Sequence, residues 1–236
     1  MISIKSALPK SEPKLVLFDM DGILFDTMPI HTWSWKKACD EYGIQAERDE
    51  FYLYEGMRGI DTINKLYHRT FGEYPSEETN REIYQRKTQL FLESKDHSVN
   101  RIPGTLELIK FLKEQRNCEI AVVTGSTKMN AYPRVEKFYG TLIPPELIIT
   151  AEDVTNGKPH PEPYLRGMQL FQRTPSETLV VENAPLGVRS AASAGAFTIA
   201  ITTGPIHQMV LREEGANLIF PNMKSLQIWW SQIFPI

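Results

Sequence analysis

Leu15-Val16-Leu17-Phe18-Asp19-Met20-Asp21-Gly22 is the stretch on which the reading of this chain turns. Four apolar residues rich in β formers, with no polar face, have the pattern of a strand buried on both sides of a parallel sheet. The run opens at once onto two carboxylates and a glycine. Two later runs share that form: Ile120-Ala121-Val122-Val123 ends in Thr124-Gly125-Ser126, and Leu179-Val180-Val181 ends in Glu182-Asn183. Helical patterns lie between them. One runs from Thr105 to Gln115, with Leu106, Ile109, Phe111 and Leu112 on one side, and another from Pro185 to Ala194 ahead of Gly195. This alternation predicts an α/β fold, a doubly wound parallel sheet covered by helices on both faces.

From about Pro29 to Asp96 the pattern changes. Trp33, Trp35, Tyr42, Leu66, Tyr67, Ile83, Leu90 and Phe91 recur at roughly helical spacing among many charges, which predicts an inserted helical cap. Asn100-Arg101-Ile102-Pro103-Gly104 carries turn chemistry and marks the return. The expected division is a catalytic core over 1–28 and 100–236 with a helical cap over 29–99. Trp229, Trp230 and Phe234 are expected on a terminal helix docked on the core.

The 236 residues suit one large domain or a domain with an insertion. With 42% hydrophobic and 23% charged residues, disordered, collagenous and coiled-coil classes drop out. A net charge of -3 supplies no global field for nucleic acid. Cys39 and Cys118 form no Cys-x-x-Cys, so two reduced thiols are expected rather than a disulfide framework or a zinc site. No signal-like or membrane-length apolar run is present in the sequence. The expectation is a soluble cytoplasmic protein, a monomer or weak dimer, whose partner is a small phosphorylated substrate rather than nucleic acid or membrane.

In open parallel sheets ligands bind beyond the carboxyl ends of the strands, so Asp19, Asp21, Thr124, Glu182 and Asn183 should meet at one place. Carboxylates that close repel unless a cation lies between them, and hard oxygen donors select Mg²⁺. Such a site can neutralise a phosphoryl group held in line with a carboxylate nucleophile.

Asp19-Met20-Asp21-Gly22-Ile23-Leu24-Phe25-Asp26-Thr27 resembles the first motif of the haloacid dehalogenase superfamily. Thr124-Gly125-Ser126 resembles its second, Lys158 within Gly157-Lys158-Pro159-His160-Pro161-Glu162-Pro163 its third, and Glu182-Asn183-Ala184 with Gly187 and Ala194-Gly195 its fourth. The insertion after the first motif, with His31, Trp35 and Gly56-Met57-Arg58, is similar to the small helical cap of β-phosphoglucomutase-like members. The resemblance implies a Rossmann-like core and a set of roles. Asp19 would be the nucleophile that forms an aspartyl-phosphate, and Asp21 the acid that protonates the leaving group and then activates water. Thr124 and Lys158 would hold the phosphoryl oxygens and balance their charge. Gly125, Ser126, His31, Glu55, Arg58 and Lys87 would bind substrate. Asp19, Glu182 and Asn183 would hold Mg²⁺ with Asp21, the last through its backbone carbonyl.

Two positions depart from the commonest pattern. Asn183 stands where the subgroup usually has Asp, and Glu55 where the sugar-phosphate mutase usually has lysine. A carboxylate facing a phosphate dianion is repulsive, about 4 kcal/mol at 4 Å in an intermediate dielectric, unless metal bridges the two. Glu55 with Asn183 resembles the inorganic pyrophosphatase branch of the subgroup, so the expected activity is a Mg²⁺-dependent phosphohydrolase acting on inorganic pyrophosphate. β-Phosphoglucomutase, favoured by His31, Arg58 and Lys87, is the alternative, followed by a general sugar-phosphate phosphatase. Each motif alone has a plainer reading, Asp-x-Asp-Gly as a turn and Asn183 as a helix cap. Four in order carry the functional one.

Overall fold

A computed structural model describes residues 8–9, 11–94 and 99–235. The ends of the expected core, 1–7 and 236, lie outside the described residues, as do residue 10 and the stretch 95–98 where the expected cap ends. The strands are β1 (Leu15–Phe18), β2 (Glu119–Val123), β3 (Ile148–Ile149), β4 (Thr178–Glu182), β5 (Phe197–Ile201) and β6 (Leu218–Phe220). The helices that follow β1 are α1 (Met28–Glu41), α2 (Gly59–Phe71) and α3 (Glu77–Glu93). Those interleaved with the later strands are α4 (Thr105–Lys110), α5 (Lys128–Tyr139), α6 (Glu162–Leu170), α7 (Pro185–Ser193), α8 (Gln208–Glu213) and α9 (Met223–Ile233).

The six described strands form one parallel sheet in the order β3-β2-β1-β4-β5-β6. β1 is central because all four of its side chains are apolar and fully buried, so both faces can be covered. Val16 and Phe18 face one layer with Leu108, Ile109 and Trp230, while Leu15 and Leu17 face the other with Tyr164, Met168 and Ala191. Each fully buried aliphatic or aromatic side chain there contributes about 1.5–3 kcal/mol relative to exposure. The chain leaves β1 toward β2 and β3 on one side and returns to β4, β5 and β6 on the other, which makes the end of β1 the topological switch point. Register brings the three polar strand ends level: Phe18 pairs with Val122 and with Val181, so Asp19 lies beside Val123 and Glu182.

The three helices after β1 build their own apolar centre from Cys39, Ile44, Phe51, Ile63, Leu66 and Ile83. Ser76 starts α3 by accepting the Thr79 N–H at 3.0 Å, with Glu77 and Glu78 favourably placed in the first turn. Cys39 and Cys118 are free and buried in different clusters, and burial pushes each thiol up to about 12. Trp230 of α9 is fully buried and its indole N–H reaches Glu12 at 2.9 Å, so the terminal helix docks on the core. The helix expected from Thr105 to Gln115 changes character at Phe111, where a π turn replaces the α spacing. The wider turn re-phases the helix so that Phe111 and Leu112 are both buried. Among the described residues no helix is long and apolar enough to cross a membrane.

Candidate active site

The buried end of β1 carries Asp19, and Lys158 reaches it from the loop ahead of α6. The lysine ammonium donates to Asp19 Oδ1 at 2.6 Å, to Glu182 Oε1 at 2.7 Å and to the Val123 carbonyl at 3.1 Å. Side-chain exposure is 1% for Lys158, 4% for Asp19 and 0% for Glu182, so these charges interact with little screening. Burial opposes the charged form of Lys158, but Asp19 and Glu182 outweigh it and hold the amine above its usual range. Burial raises the Asp19 carboxyl well above its ordinary value despite Lys158, and Glu182 and Asp21 add to the rise. Burial does the same to Glu55, with Asp19, Glu182 and Asp21 as contributing neighbours. The cluster therefore carries more carboxylate than its cations balance.

Asp21 sits differently. Its Oδ1 accepts from Thr27 Oγ1 at 2.5 Å, Arg134 Nη1 at 2.9 Å and His31 Nε2 at 3.3 Å, while Oδ2 meets Ser126 Oγ at 3.4 Å. Burial pushes this carboxyl up, but His31, Arg134 and Thr27 overcome it and keep the group well below the usual carboxylate range. Burial, with Lys87 nearby, brings His31 down to about 4, so the imidazole is neutral near pH 7. Lys87 Nζ lies 2.8 Å from His31 Nδ1, which fits an Nδ1 acceptor and an Nε2–H donating to Asp21.

A cavity of about 60 Å³ lies between the sheet end and the helices that follow β1. Its walls include Asp19, Asp21, Thr124, Gly125 and Ser126 from the strand ends, and His31, Glu55 and Lys87 from the helical insertion. The space is small beside the several hundred Å³ of an ordinary metabolite pocket, roughly 300–1,000 Å³. Close approach is built in at Gly125, where a Cβ would collide with the carbonyl of Gly56.

The strand-end residues anticipated from sequence thus meet at one place, together with Glu55, His31 and Lys87. Arg58, expected as a substrate contact, is not among the residues that line the cavity, although its neighbours Met57 and Gly59 are. Its guanidinium is taken by Asp61, at 2.6 and 2.9 Å, and by the Thr155 carbonyl. Glu182 is held by four donors: Oε1 accepts from Lys158 at 2.7 Å and from Tyr164 OH at 2.8 Å, and Oε2 accepts the N–H groups of Asn183 at 2.9 Å and Ala184 at 3.1 Å, so a metal at Glu182 would have to displace one of them. Three donors hold Asp21 Oδ1, while Oδ2 has only the 3.4 Å contact to Ser126 Oγ.

Asp19 Oδ2 and Asn183 Oδ1 are buried without a hydrogen-bond partner among the described residues. Two orphaned oxygens beside excess carboxylate charge fit a hard divalent cation. Among the described residues no three His, Cys, Asp or Glu side chains form a metal cage. Mg²⁺ needs none, since it binds through one or two carboxylates and fills its shell with waters and substrate oxygens.

Sequence reading missed Arg134, Thr27 as a partner of Asp21, and Tyr164. Thr27 was visible as the last residue of the first motif. Arg134 is 113 positions from Asp21, inside a helix whose sequence has no motif at that point.

Strand ends bearing Asp19, Thr124 and Glu182 around one buried lysine define a class of enzyme: the chain belongs to the haloacid dehalogenase-like hydrolases, whose pattern matches residues 16–201. Among its relatives, hexitol phosphatase A of Escherichia coli strain K12 is 33% identical over 187 residues, 78% of this chain and 81% of that one. The beta-phosphoglucomutase of Bacillus subtilis strain 168 is 27% identical, over 81% of this chain and 84% of its own length. A solved structure from Bacteroides vulgatus, described as a candidate beta-phosphoglucomutase, superposes with a TM-score of 0.90 at 40% identity, covering 98% of this chain and 96% of the other.

Proposed function

We propose that the protein is a Mg²⁺-dependent phosphohydrolase that works through an aspartyl-phosphate on Asp19. The observation that carries this reading is the pair of unpartnered buried oxygens, Asp19 Oδ2 and Asn183 Oδ1, beside a carboxylate whose other oxygen is held by Lys158. Asp19, Asn183 and the Asp21 carbonyl would hold Mg²⁺, which when bound neutralises charge on the phosphoryl group. Lys158 keeps Asp19 aimed and balances the phosphoryl oxygens, and Thr124 and Ser126 line their approach. Asp21 faces the leaving-group side. In the free protein it is ionised and able to take a proton from water. An arriving phosphate dianion raises its proton affinity, which is what the acid role needs.

The relatives named above are called hexitol phosphatase and beta-phosphoglucomutase, which favours a sugar or polyol phosphate as substrate class. None of the three has pyrophosphate in its name. Inorganic pyrophosphate keeps one specific observation in its favour: Glu55, 6% exposed, forms the cap wall beside Asp19 and Asn183 where a sugar phosphate would gain from a cation. Against the mutase, Arg58 is committed to Asp61 and Thr155 and offers nothing to a distal phosphate.

A phosphate-release screen with Mg²⁺ across hexitol and hexose phosphates, glycerol 1-phosphate and pyrophosphate, with wild type and Glu55→Lys, decides among these. Turnover of organic monoesters that Glu55→Lys improves supports the sugar or polyol phosphate reading. Pyrophosphate turnover that Glu55→Lys destroys supports the other. Full activity of Asp19→Asn on any of them would sink the phosphohydrolase reading, because an amide is a far poorer nucleophile.

A further inference from the structure

The geometry points to Arg134, on core helix α5, as a positioning residue that fixes which oxygen of Asp21 exchanges the proton with the leaving group and with water. This rests on the phosphohydrolase reading above. Arg134 does not line the cavity, and among the described residues its one ion pair with a cavity-lining residue is to Asp21, at 2.9 Å.

Three donors converge on one oxygen of Asp21. Thr27, Arg134 and His31 all reach Oδ1, whereas Oδ2 has only the long contact to Ser126 Oγ at 3.4 Å, a residue of the cavity wall. A carboxylate free to rotate about its last bond offers either oxygen in a broad range of directions. With Oδ1 clamped, Oδ2 alone is left toward the substrate. In the proposed step, Asp21 Oδ2 first takes a proton from solvent as the substrate dianion binds; an Asp19 oxygen then bonds to phosphorus as the bond to the leaving oxygen breaks, and that leaving oxygen takes the proton from Asp21 Oδ2. Asp21 regains a proton from the water that attacks phosphorus and frees Asp19.

Arg134 is itself held in place. Its guanidinium carbon lies 5.8 Å from the centre of the Phe25 ring and 5.0 Å from that of Phe91, and its side chain is 12% exposed. Phe25 lies within the first motif, whereas Phe91 lies on α3, so the clamp is complete when that helix is seated against the core. A planar guanidinium can stack on such rings while donating in its own plane, which a lysine ammonium cannot do.

Two substrates separate positioning from mere stability. Glycerol 1-phosphate leaves as an alkoxide and needs the proton, whereas p-nitrophenolate leaves without one. In Arg134→Met, kcat on glycerol 1-phosphate should fall about 100-fold, the scale of lost general acid–base help, with KM little changed. The rapid first turnover of p-nitrophenyl phosphate should be nearly unaffected. Arg134→Lys, which keeps the charge and loses the stacking, should fall between wild type and Arg134→Met on glycerol 1-phosphate and serves if the methionine variant does not fold. Equal losses on both substrates would overturn the inference. Crystals of wild type and variant give a readout independent of turnover: Asp21 should leave its single rotamer in the variant, and an unmoved Asp21 refutes the assignment. If wild-type protein hydrolyses neither probe, the phosphohydrolase reading falls, while the crystal comparison still decides whether Arg134 holds Asp21.

Discussion

Asn183 Nδ2 donates a 2.8 Å hydrogen bond to Glu55 Oε1, joining the end of β4 to the helical insertion beside Asp19. Both side chains are buried, and Gly22 makes room for them, since a Cβ at that position would run into each. The amide is what permits the contact. An aspartate at 183 would set carboxylate against carboxylate, a repulsion of about 4 kcal/mol at 4 Å in an intermediate dielectric. Asn183→Asp should therefore lose kcat/KM on the best substrate, and Asn183→Asp with Glu55→Gln should regain much of it. A double-mutant cycle on kcat/KM measures this coupling, and additive losses would show the pair to be independent.

Gly187 should behave as an active-site residue without touching substrate. A Cβ there would overlap the Glu182 carboxylate, which anchors Lys158 and through it Asp19. Displacing that chain by about 1 Å is enough to cost on the order of 100-fold in rate. Gly187→Ala should show such a loss in kcat at nearly unchanged KM. Lys158→Met should do more, leaving two buried carboxylates uncompensated at a cost of about 3–5 kcal/mol in urea unfolding.

Asp19, Thr124 and Glu182 could be read from sequence because each follows an unbroken apolar run, and parallel register then forces the run ends together. β3 could not be read the same way, since Ile148 and Ile149 are too short a run to show a period. Side-chain pairing across the fold was also hidden. Residue type suggested an open ligand at Glu182, but Lys158, 24 positions away, Tyr164 and two backbone N–H groups take its oxygens. Arg58 looked like a phosphate contact by position, yet Asp61, one turn along α2, competes for the guanidinium at close range. Neither outcome is written in local periodicity. Each depends on which charged groups the completed fold places within hydrogen-bond reach.

Cation binding should be visible without turnover. A ligand that binds only the folded protein stabilises it by about 2.7 kcal/mol at one hundred times its dissociation constant. Mg²⁺ should therefore raise the Tm of wild type, and chelator should reverse the rise. Asn183→Leu removes one of the two orphaned oxygens, Asn183 Oδ1, and should shrink the Mg²⁺-dependent increment while leaving the metal-free Tm open to change in either direction. An undiminished increment in that variant would move the cation elsewhere.

Arg58 is better read as a strap between the insertion and the core. It begins α2, pairs with Asp61, and donates to the carbonyl of Thr155 on the loop that leads to Lys158. A Cβ at Gly157 would be in tight contact with its side chain, so the loop passes close beneath it. The Arg58–Asp61 pair is only partly buried and lies within one helical turn, and such pairs contribute roughly 1 kcal/mol or less to stability, so Arg58→Ala should fold normally. Its effect should fall on closure, changing kcat and KM together. Inorganic phosphate as a competitive inhibitor separates the two roles: a strap leaves its inhibition constant within about threefold, whereas a direct charged hydrogen bond to phosphate would weaken it tenfold or more, about 1.5–3 kcal/mol. A tenfold loss of phosphate affinity in Arg58→Ala would instead support the substrate-binding role expected from the sequence.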